Sequence, residues 1–250
     1  MQPVTDADWK RCKKVNLVLL YRNEEIVNGR ALLRGRQAQH IRTVLHAQAG
    51  DPVRVGLLQG NMGTGRVLHL DENSVELEVE LHKTPPPPSP VTLILALPRP
   101  KVLKRLLVML TTLGVKHLVL VNSWRVDKSY WNSPVLEEEN LHNYLCLGLE
   151  QARDTILPRV ELKRLFKPFV EDELDTLCGK RERLLAHPGG EEGCPCAAVG
   201  ERVLFIGPEG GLIPYEVSML EERGFNPFSL GARILHVETA VVACLARLGL

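Results

Sequence analysis

The sequence predicts an α/β protein: a larger C-terminal domain on a parallel sheet, preceded by a small β-barrel domain. Three observations predict it. A proline run, "TPPPPSP" at 84–90, interrupts the chain once. Before it, short stretches alternate apolar and polar residues with a period of two. After it, apolar strands and amphipathic helices follow one another in turn.

The front piece, residues 1–84, carries strand signals in "DPVRVGLLQG", "GTGRVLHL" and "SVELEVEL", separated by Gly, Asp and Asn turn residues. In "VELEVEL" every second residue is apolar, the pattern of a strand with one buried face. A helix is predicted at "GRQAQHIRTVLHA", where Ala38, Ile41 and Leu45 share a face. Short strands with one helix sum to a small barrel, an architecture that presents loops and edges to oligonucleotides. Fold alone does not assign function. Arg30, Arg34, Arg36 and Arg42 surround the helix, and guanidinium groups suit phosphate. Up to Arg54 the chain holds ten Lys and Arg against five Asp and Glu, and from Val55 to Thr84 two against five. That surplus fits a nucleic-acid footprint and a plain solvated surface equally well.

The proline run, 85–90, favours a stiff extended connector and cannot join a helix or a central strand. The back piece, 91–250, opens with the buried strand "VTLILALP". The helix "KVLKRLLVMLTTLG", the strand "VKHLVLVNS" and the long helix "LEEENLHNYLCLGLEQA" come next. "RERLLAHP" and "ERVLFIGP" are strands, and "PYEVSMLEERG" is a short helix with Pro214 early and Gly224 at its end. This alternation predicts a parallel sheet with helices on both faces, and ligands in such sheets bind at the carboxyl ends of strands.

Bulk properties exclude some classes. The apolar fraction is 44% and the net charge +1, ordinary for a globular chain. The N-terminal "MQPVTDADWKRCKK" has no apolar signal core, and no segment reaches the length of a membrane span, so a cytoplasmic protein without a membrane partner is expected. The six cysteines are Cys12, Cys146, Cys178, Cys194, Cys196 and Cys244. None forms a CxxC pair, so reduced thiols and no metal site are expected.

Two stretches carry the chemistry. "FIGPEGG", 205–211, ends a buried strand in three glycines, a proline and a single acid, Glu209. Such a loop lets main-chain groups approach a ligand, or simply lets two elements pack closely. It is neither GxGxxG nor a phosphate-binding GxxxxGK[ST] loop, and no lysine follows to hold a triphosphate. "SLGARILHVETA", 229–240, enters the apolar helix "TAVVACLARLGL", where Glu238 and Thr239 suit a helix start. Two glycine loops side by side would form a shallow pocket suited to an adenine ring.

"IGPEGG" followed by "LGxRIL-xx-ETA" closely resembles the ribosomal RNA small-subunit methyltransferase E family. Weaker matches extend over most of the chain: "LLRGRQAQHIRTVLHAQAGDPVRV", "LTTLGV", "EQARDTILPRV" and "AHP". The resemblance implies a knotted SPOUT-class α/β domain with a deep trefoil knot, preceded by a PUA-like RNA-binding barrel. It implies methylation of N3 of a uridine in 16S ribosomal RNA, a homodimer, and S-adenosylmethionine as cofactor. The residues implied for the cofactor are His187, Pro188, Gly207, Pro208, Glu209, Gly210, Gly211, Leu230, Gly231, Ile234, Leu235, Glu238 and Thr239. Methyl transfer to N3 needs an unpaired base, loss of the N3 proton and donors for the resulting charge. Arg233 is the candidate donor, and His236 a candidate donor or base. Their alternative readings are a phosphate contact and a pocket wall. Lys101, Lys104, Arg105 and Arg125 are candidates for extending the RNA surface, and a solvated face explains them equally.

This chain departs from the family pattern at several points. It reads "LHVETA" where "LRTETA" is common, so His236 stands for an arginine and Val237 for a threonine. Ala232 replaces the proline of "LGPR", Thr112 stands where glutamate is usual, and Asp154 where an arginine is expected. The glycines implied for the cofactor are intact, whereas several groups facing the RNA differ. A catalytically altered RNA-binding or ribosome-assembly protein, or a methyltransferase with another RNA target, is therefore the alternative reading.

Overall fold

In the computed structural model the described residues are 16–21, 26–196 and 200–249, so Cys12 and the N-terminal "MQPVTDADWKRCKK" lie outside them. The chain divides into two compact units. One runs up to Pro87 and takes in Cys146–Leu157, and the other holds Pro88–Leu145 and Pro158–Leu250.

The first unit holds β1 (Val18–Leu20), β2 (Ile26–Val27), β3 (Arg30–Arg34), helix α1 (Gly35–Thr43), β4 (Pro52–Leu57), β5 (Met62–Leu70) and β6 (Ser74–Lys83). The strands form one sheet in the order β1-β4-β5-β6-β3-β2. β1 runs parallel to β4, and every other pairing is antiparallel. The period-two pattern of β6 is realised: Val75 and Leu77 are buried, with Glu76 between them and Glu78 after them less so. Ala38 and Ile41 bury the face of α1 against that core, and Leu45, which the sequence placed on the same helix, joins the core from just beyond its end. Burying Ile41 alone is worth about 1.5–3 kcal/mol. Gly63 lets β5 and β6 approach where their register shifts, since a Cβ there would stand 1.8 Å from the Glu80 carbonyl oxygen.

β1 is buried on both sides. Val18 and Leu20 join the main core, whereas Leu17 and Leu19 pack with Met62, Cys146 and Leu149. This second cluster ties residues 146–157 to the front unit. The Leu17 amide donates to the Glu150 carbonyl at 2.9 Å, and Arg36 grips the Glu150 carboxylate through two bonds of 2.7 and 2.9 Å.

The second unit contains β7 (Val91–Ala96), α2 (Pro100–Thr112), β8 (His117–Val121), the start of α3 (Glu138–Ala152), β9 (Arg159–Lys163), β10 (Glu182–Ala186), β11 (Glu192–Gly193), β12 (Arg202–Ile206), α4 (Pro214–Glu222), β13 (Asn226–Ser229) and α5 (Val237–Leu248). Its sheet has the order β11-β13-β10-β12-β7-β8-β9, and all pairings are parallel. The central strands β7 and β12 are buried at every residue, as continuous apolar runs in a parallel sheet should be. Gly114, at φ 79°, ends α2, and Gly224, at φ 77°, follows α4.

Strands β1, β2, β3, β9, β11 and β13 are additional to those predicted from the sequence. β9 is a polar edge, "RVELK", with no fully buried residue. β13, "NPFS", is four residues long and contains a proline. The alternation of β9 runs over only five residues and β13 has no apolar period; the neighbouring strand decides both. Among the described residues no helix is long and apolar enough to cross a membrane.

Candidate active site

The loops that follow β10, β12 and β13 meet at the carboxyl ends of their strands. They enclose a cavity of about 330 Å³ with the first residues of α5. His187 and Pro188 come from the first loop, 207–211 from the second, and Leu230, Gly231, Arg233, Ile234 and Leu235 from the third. Ile206, Leu212, Phe228 and Val237 form apolar walls. The first and third loops are stitched together, because the His187 amide donates to the Phe228 carbonyl at 3.0 Å. A Cβ on Gly190 would come within 2.7 Å of three Phe228 backbone atoms, so only glycine permits this approach. The His187 Nδ1 accepts from the Gly189 amide at 3.0 Å, which leaves the ring proton of a neutral imidazole on Nε2.

Each glycine loop is closed by its own turn. The Gly211 amide donates to the Pro208 carbonyl at 2.8 Å, with Gly211 at φ 74°. The Gly231 amide donates to the Ser229 hydroxyl at 3.1 Å, with Gly231 at φ 110°. Both angles suit glycine alone among common residues.

The two acids of these loops both reach α2. Glu209 accepts from the Arg99 amide at 3.2 Å, at the positive end of the helix. Glu238 pairs with Arg105 at 2.7 Å. The carboxylates thus brace the loops. Glu209 still borders the cavity, whereas Glu238 and Thr239 do not.

Arg125 also borders the cavity, donating to the Gly210 carbonyl at 2.5 Å. Its turn is pinned by Glu216, which is buried and accepts from the Trp124 amide at 2.7 Å and the Ile213 amide at 3.0 Å. Neither Glu216 nor Trp124 stands out in the sequence. The glutamate two residues after Pro214 is a helix-start signal, but its partner Trp124 lies 92 positions away.

Among the candidate catalytic residues, Arg233 lines the cavity. His236 is exposed outside it as the N-cap residue of α5, its carbonyl accepting from the Ala240 amide at 2.9 Å. Lys101 and Lys104 are exposed on α2, with the Lys104 ammonium 5.2 Å from the Tyr144 ring centre. In the other unit Arg34 is exposed, Arg30 pairs with Glu76 at 3.3 Å and Arg42 donates to the Glu72 carbonyl. Thr112 bonds back to the Val108 carbonyl at 2.8 Å, and buried Asp154 accepts from the Thr155 and Ile156 amides.

Residues 85–249 match the family model of the RNA methyltransferase domain. Ribosomal RNA small subunit methyltransferase E of Treponema pallidum is 30% identical over 236 residues, 92% of this chain and 89% of that one. This chain belongs to the ribosomal RNA small subunit methyltransferase E family. The Synechocystis member is 27% identical and covers 90% of this chain and 74% of its own. Among solved structures, the Neisseria gonorrhoeae member, bound to S-adenosyl methionine, superposes with a TM-score of 0.70 at 22% identity, covering 92% of this chain and 96% of its own. A Legionella pneumophila methyltransferase in complex with the same cofactor gives 0.72 at 21% identity, covering 93% and 96%. These two structures establish the shared fold of this family member.

Proposed function

We propose that this chain transfers a methyl group from S-adenosylmethionine to N3 of a uridine in small-subunit (16S) ribosomal RNA. The observation that carries the reading is the convergence of three strand-end loops on one cavity in a chain of this family. Its residues fit the cofactor. A volume of about 330 Å³ lies within the range of small-molecule sites. Apolar walls suit an adenine, and glycines let main-chain groups approach a nucleoside. When bound, the cofactor supplies an electrophilic methyl group on a sulfonium sulfur.

The protein's part is to hold, orient and manage a proton. Loops 207–211 and 229–235 position the nucleoside, and Leu230 and Leu235 exclude water from it. Arg233 donates to the charge that spreads over O2 and O4 when N3 gives up its proton. His236, at the start of α5, takes that proton. Lys101, Lys104, Arg105 and Arg125 draw in the phosphate backbone, and the ion pair with Glu238 leaves the remaining donors of Arg105 for it.

We further read residues 1–84 as a PUA-like RNA-binding domain, 85–90 as its linker and 91–250 as a knotted SPOUT methyltransferase domain. Arg30, Arg34 and Arg42 are its phosphate contacts, with Arg36 given over to Glu150. The family match over 85–249 supports this division, as does the contrast between the mixed sheet of the first unit and the all-parallel sheet of the second, although residues 146–157 pack with the first. The enzyme works as a homodimer in the cytoplasm, on an assembled small subunit.

The position of His236 outside the cavity lining favours a second reading, an RNA-binding relative that has lost turnover. Incubating the protein with labelled S-adenosylmethionine and small subunits lacking the mark, then identifying nucleosides by mass, separates the two. Labelled 3-methyluridine is the expected product. Cofactor binding without label on any nucleoside would leave the second reading standing.

A further inference from the structure

Trp124 is the most conspicuous side chain that the cavity does not explain. It is 78% exposed, although an indole is among the costliest groups to leave in water. Its backbone, in contrast, is tightly held. Trp124 and Arg125 are the two corner residues of a turn closed by the Val126 amide on the Ser123 carbonyl at 3.1 Å. On one side, the Asn122 amide donates to the Lys163 carbonyl at 2.8 Å, and the Asn122 side chain accepts from the Trp131 indole at 2.9 Å. On the other, Asp127 caps the following helical turn. From below, the buried Glu216 carboxylate holds the Trp124 amide. The turn thus fixes where the indole starts and points it away from the protein.

The turn also belongs to the cavity. Arg125, its second corner, lines the pocket and holds the Gly210 carbonyl. One such contact leaves a guanidinium, with its five N–H donors, able to bind more. Ile234, on another loop lining the same pocket, is 80% exposed. A fixed aromatic plate beside an arginine is how proteins hold unpaired nucleobases. The ring stacks on the base, and the cation meets the base edge or the phosphate.

We propose that Trp124 is a base-stacking residue for the RNA substrate, with Arg125 beside it as the cation that meets the same or the adjoining nucleotide. The proposal rests on the RNA methyltransferase reading above and adds a binding residue to it. An interface with a second copy of this chain is the competing occupant. The chain neighbours of Trp124 favour RNA: Arg125 and Lys128 are exposed cations and the acid Asp127 is engaged by the Ser129 amide, whereas the core of a protein interface is depleted of charge.

The test compares Trp124→Ala, Trp124→Leu and Trp124→Phe with the parent protein. Each is measured for cofactor affinity, for molar mass in solution, and for kcat and KM on small subunits lacking the methyl mark. Stacking predicts that Trp124→Ala loses five- to a hundredfold in kcat/KM, mainly through KM, with cofactor affinity and mass unchanged. Phenylalanine, which keeps a ring, recovers most of the loss, and leucine, which keeps apolar area without a π-face, does not. Activity within twofold of the parent in Trp124→Ala would overturn the proposal. So would leucine rescuing as well as phenylalanine, or a fall in mass, which would assign the indole to a contact between copies. A parent protein that binds cofactor but methylates no RNA would overturn the enzymatic reading itself. The proposal would then turn on affinity for the same subunits, where a twofold or smaller change on Trp124→Ala would overturn it and a larger loss rescued by phenylalanine alone would support it.

Discussion

Loop 207–211 is fastened from outside itself, whereas loop 229–235 is fastened at its ends and open along its middle. Glu209 reaches the Arg99 amide, Arg125 grips the Gly210 carbonyl, and Gly211 closes its turn on Pro208. In the other loop Ser229 holds Gly231, and Glu238, just beyond, is held by Arg105. Between those points Ala232, Arg233 and Ile234 are exposed. The difference teaches where this chain can vary. Contacts that converge on 208–211 constrain those residues, and there the chain keeps the "GPEGG" of its family. The open stretch carries Ala232, and the residues after it carry His236 and Val237, all departures from the family pattern. On the proposed reading both loops hold the cofactor common to all members, and the exposed stretch 232–234 of the second leaves room for contacts that differ with the substrate.

Experiments can break or sharpen this contrast. The largest effect is expected at Arg233, in the open stretch: Arg233→Ala should lower kcat a hundredfold or more, as loss of an oxyanion donor does, on the order of 3 kcal/mol. Isothermal titration should find cofactor affinity unchanged, and a matching loss of cofactor affinity would erase the distinction between the loops. Next comes Glu216→Ala, which strips two backbone amides of their acceptor and should destabilise the fold by about 2–3 kcal/mol in urea melts. Glu216→Gln keeps one acceptor but sets its NH2 group against the other backbone amide, so it should recover only part of that loss. A cost under about 0.5 kcal/mol for Glu216→Ala would mean that the carboxylate is not what holds the Trp124 turn.

A smaller pair compares the two glycines directly. Gly211→Ala, at φ 74°, should cost about 1 kcal/mol. Gly231→Ala, at φ 110°, lies further from any well open to alanine and should cost more, about 1–3 kcal/mol, although no atom stands within 4 Å of the added methyl. The reverse order of melting temperatures would show that crowding, and not backbone angle, selects glycine here. The smallest effect is predicted for Arg105→Ala. Its guanidinium is 58% exposed, so losing the pair with Glu238 should cost under about 1 kcal/mol and less still in high salt. A larger, salt-independent loss would mean that α2 braces the open loop as firmly as the closed one.

Much of this was readable beforehand, and the parts that were not share a cause. The helices α1, α2 and α4 and the strands β4 to β8, β10 and β12 announce themselves through apolar period or through Gly and Pro punctuation. β13 does not, and the alternation of β9 is too short to declare a strand alone, because a five-residue edge strand and a proline-bearing one form only when a neighbour offers its backbone. The end of α3 reads as one continuous helix of the back piece. Its final residues nevertheless pack with Leu17 and Leu19, and Glu150 meets Arg36, 114 positions away. The glycines and Arg233, which line the cavity, stand out in the sequence. Trp124 and Glu216 do not, since the sequence gives no sign that this indole is exposed or this carboxylate buried.

The sequence by itself determined the strands and helices with a clear apolar period, the parallel sheet, the two glycine loops and the family, because these rest on local periodicity, on backbone freedom and on motifs contiguous in the chain. Only the tertiary structure decided which residues face the cavity, that Glu209 and Glu238 are engaged by α2, that His236 stands outside the lining, and that Trp124 stands in solvent on a rigid turn. Each of those depends on partners up to 133 positions apart, whose meeting is set by burial and hydrogen bonding across the whole core.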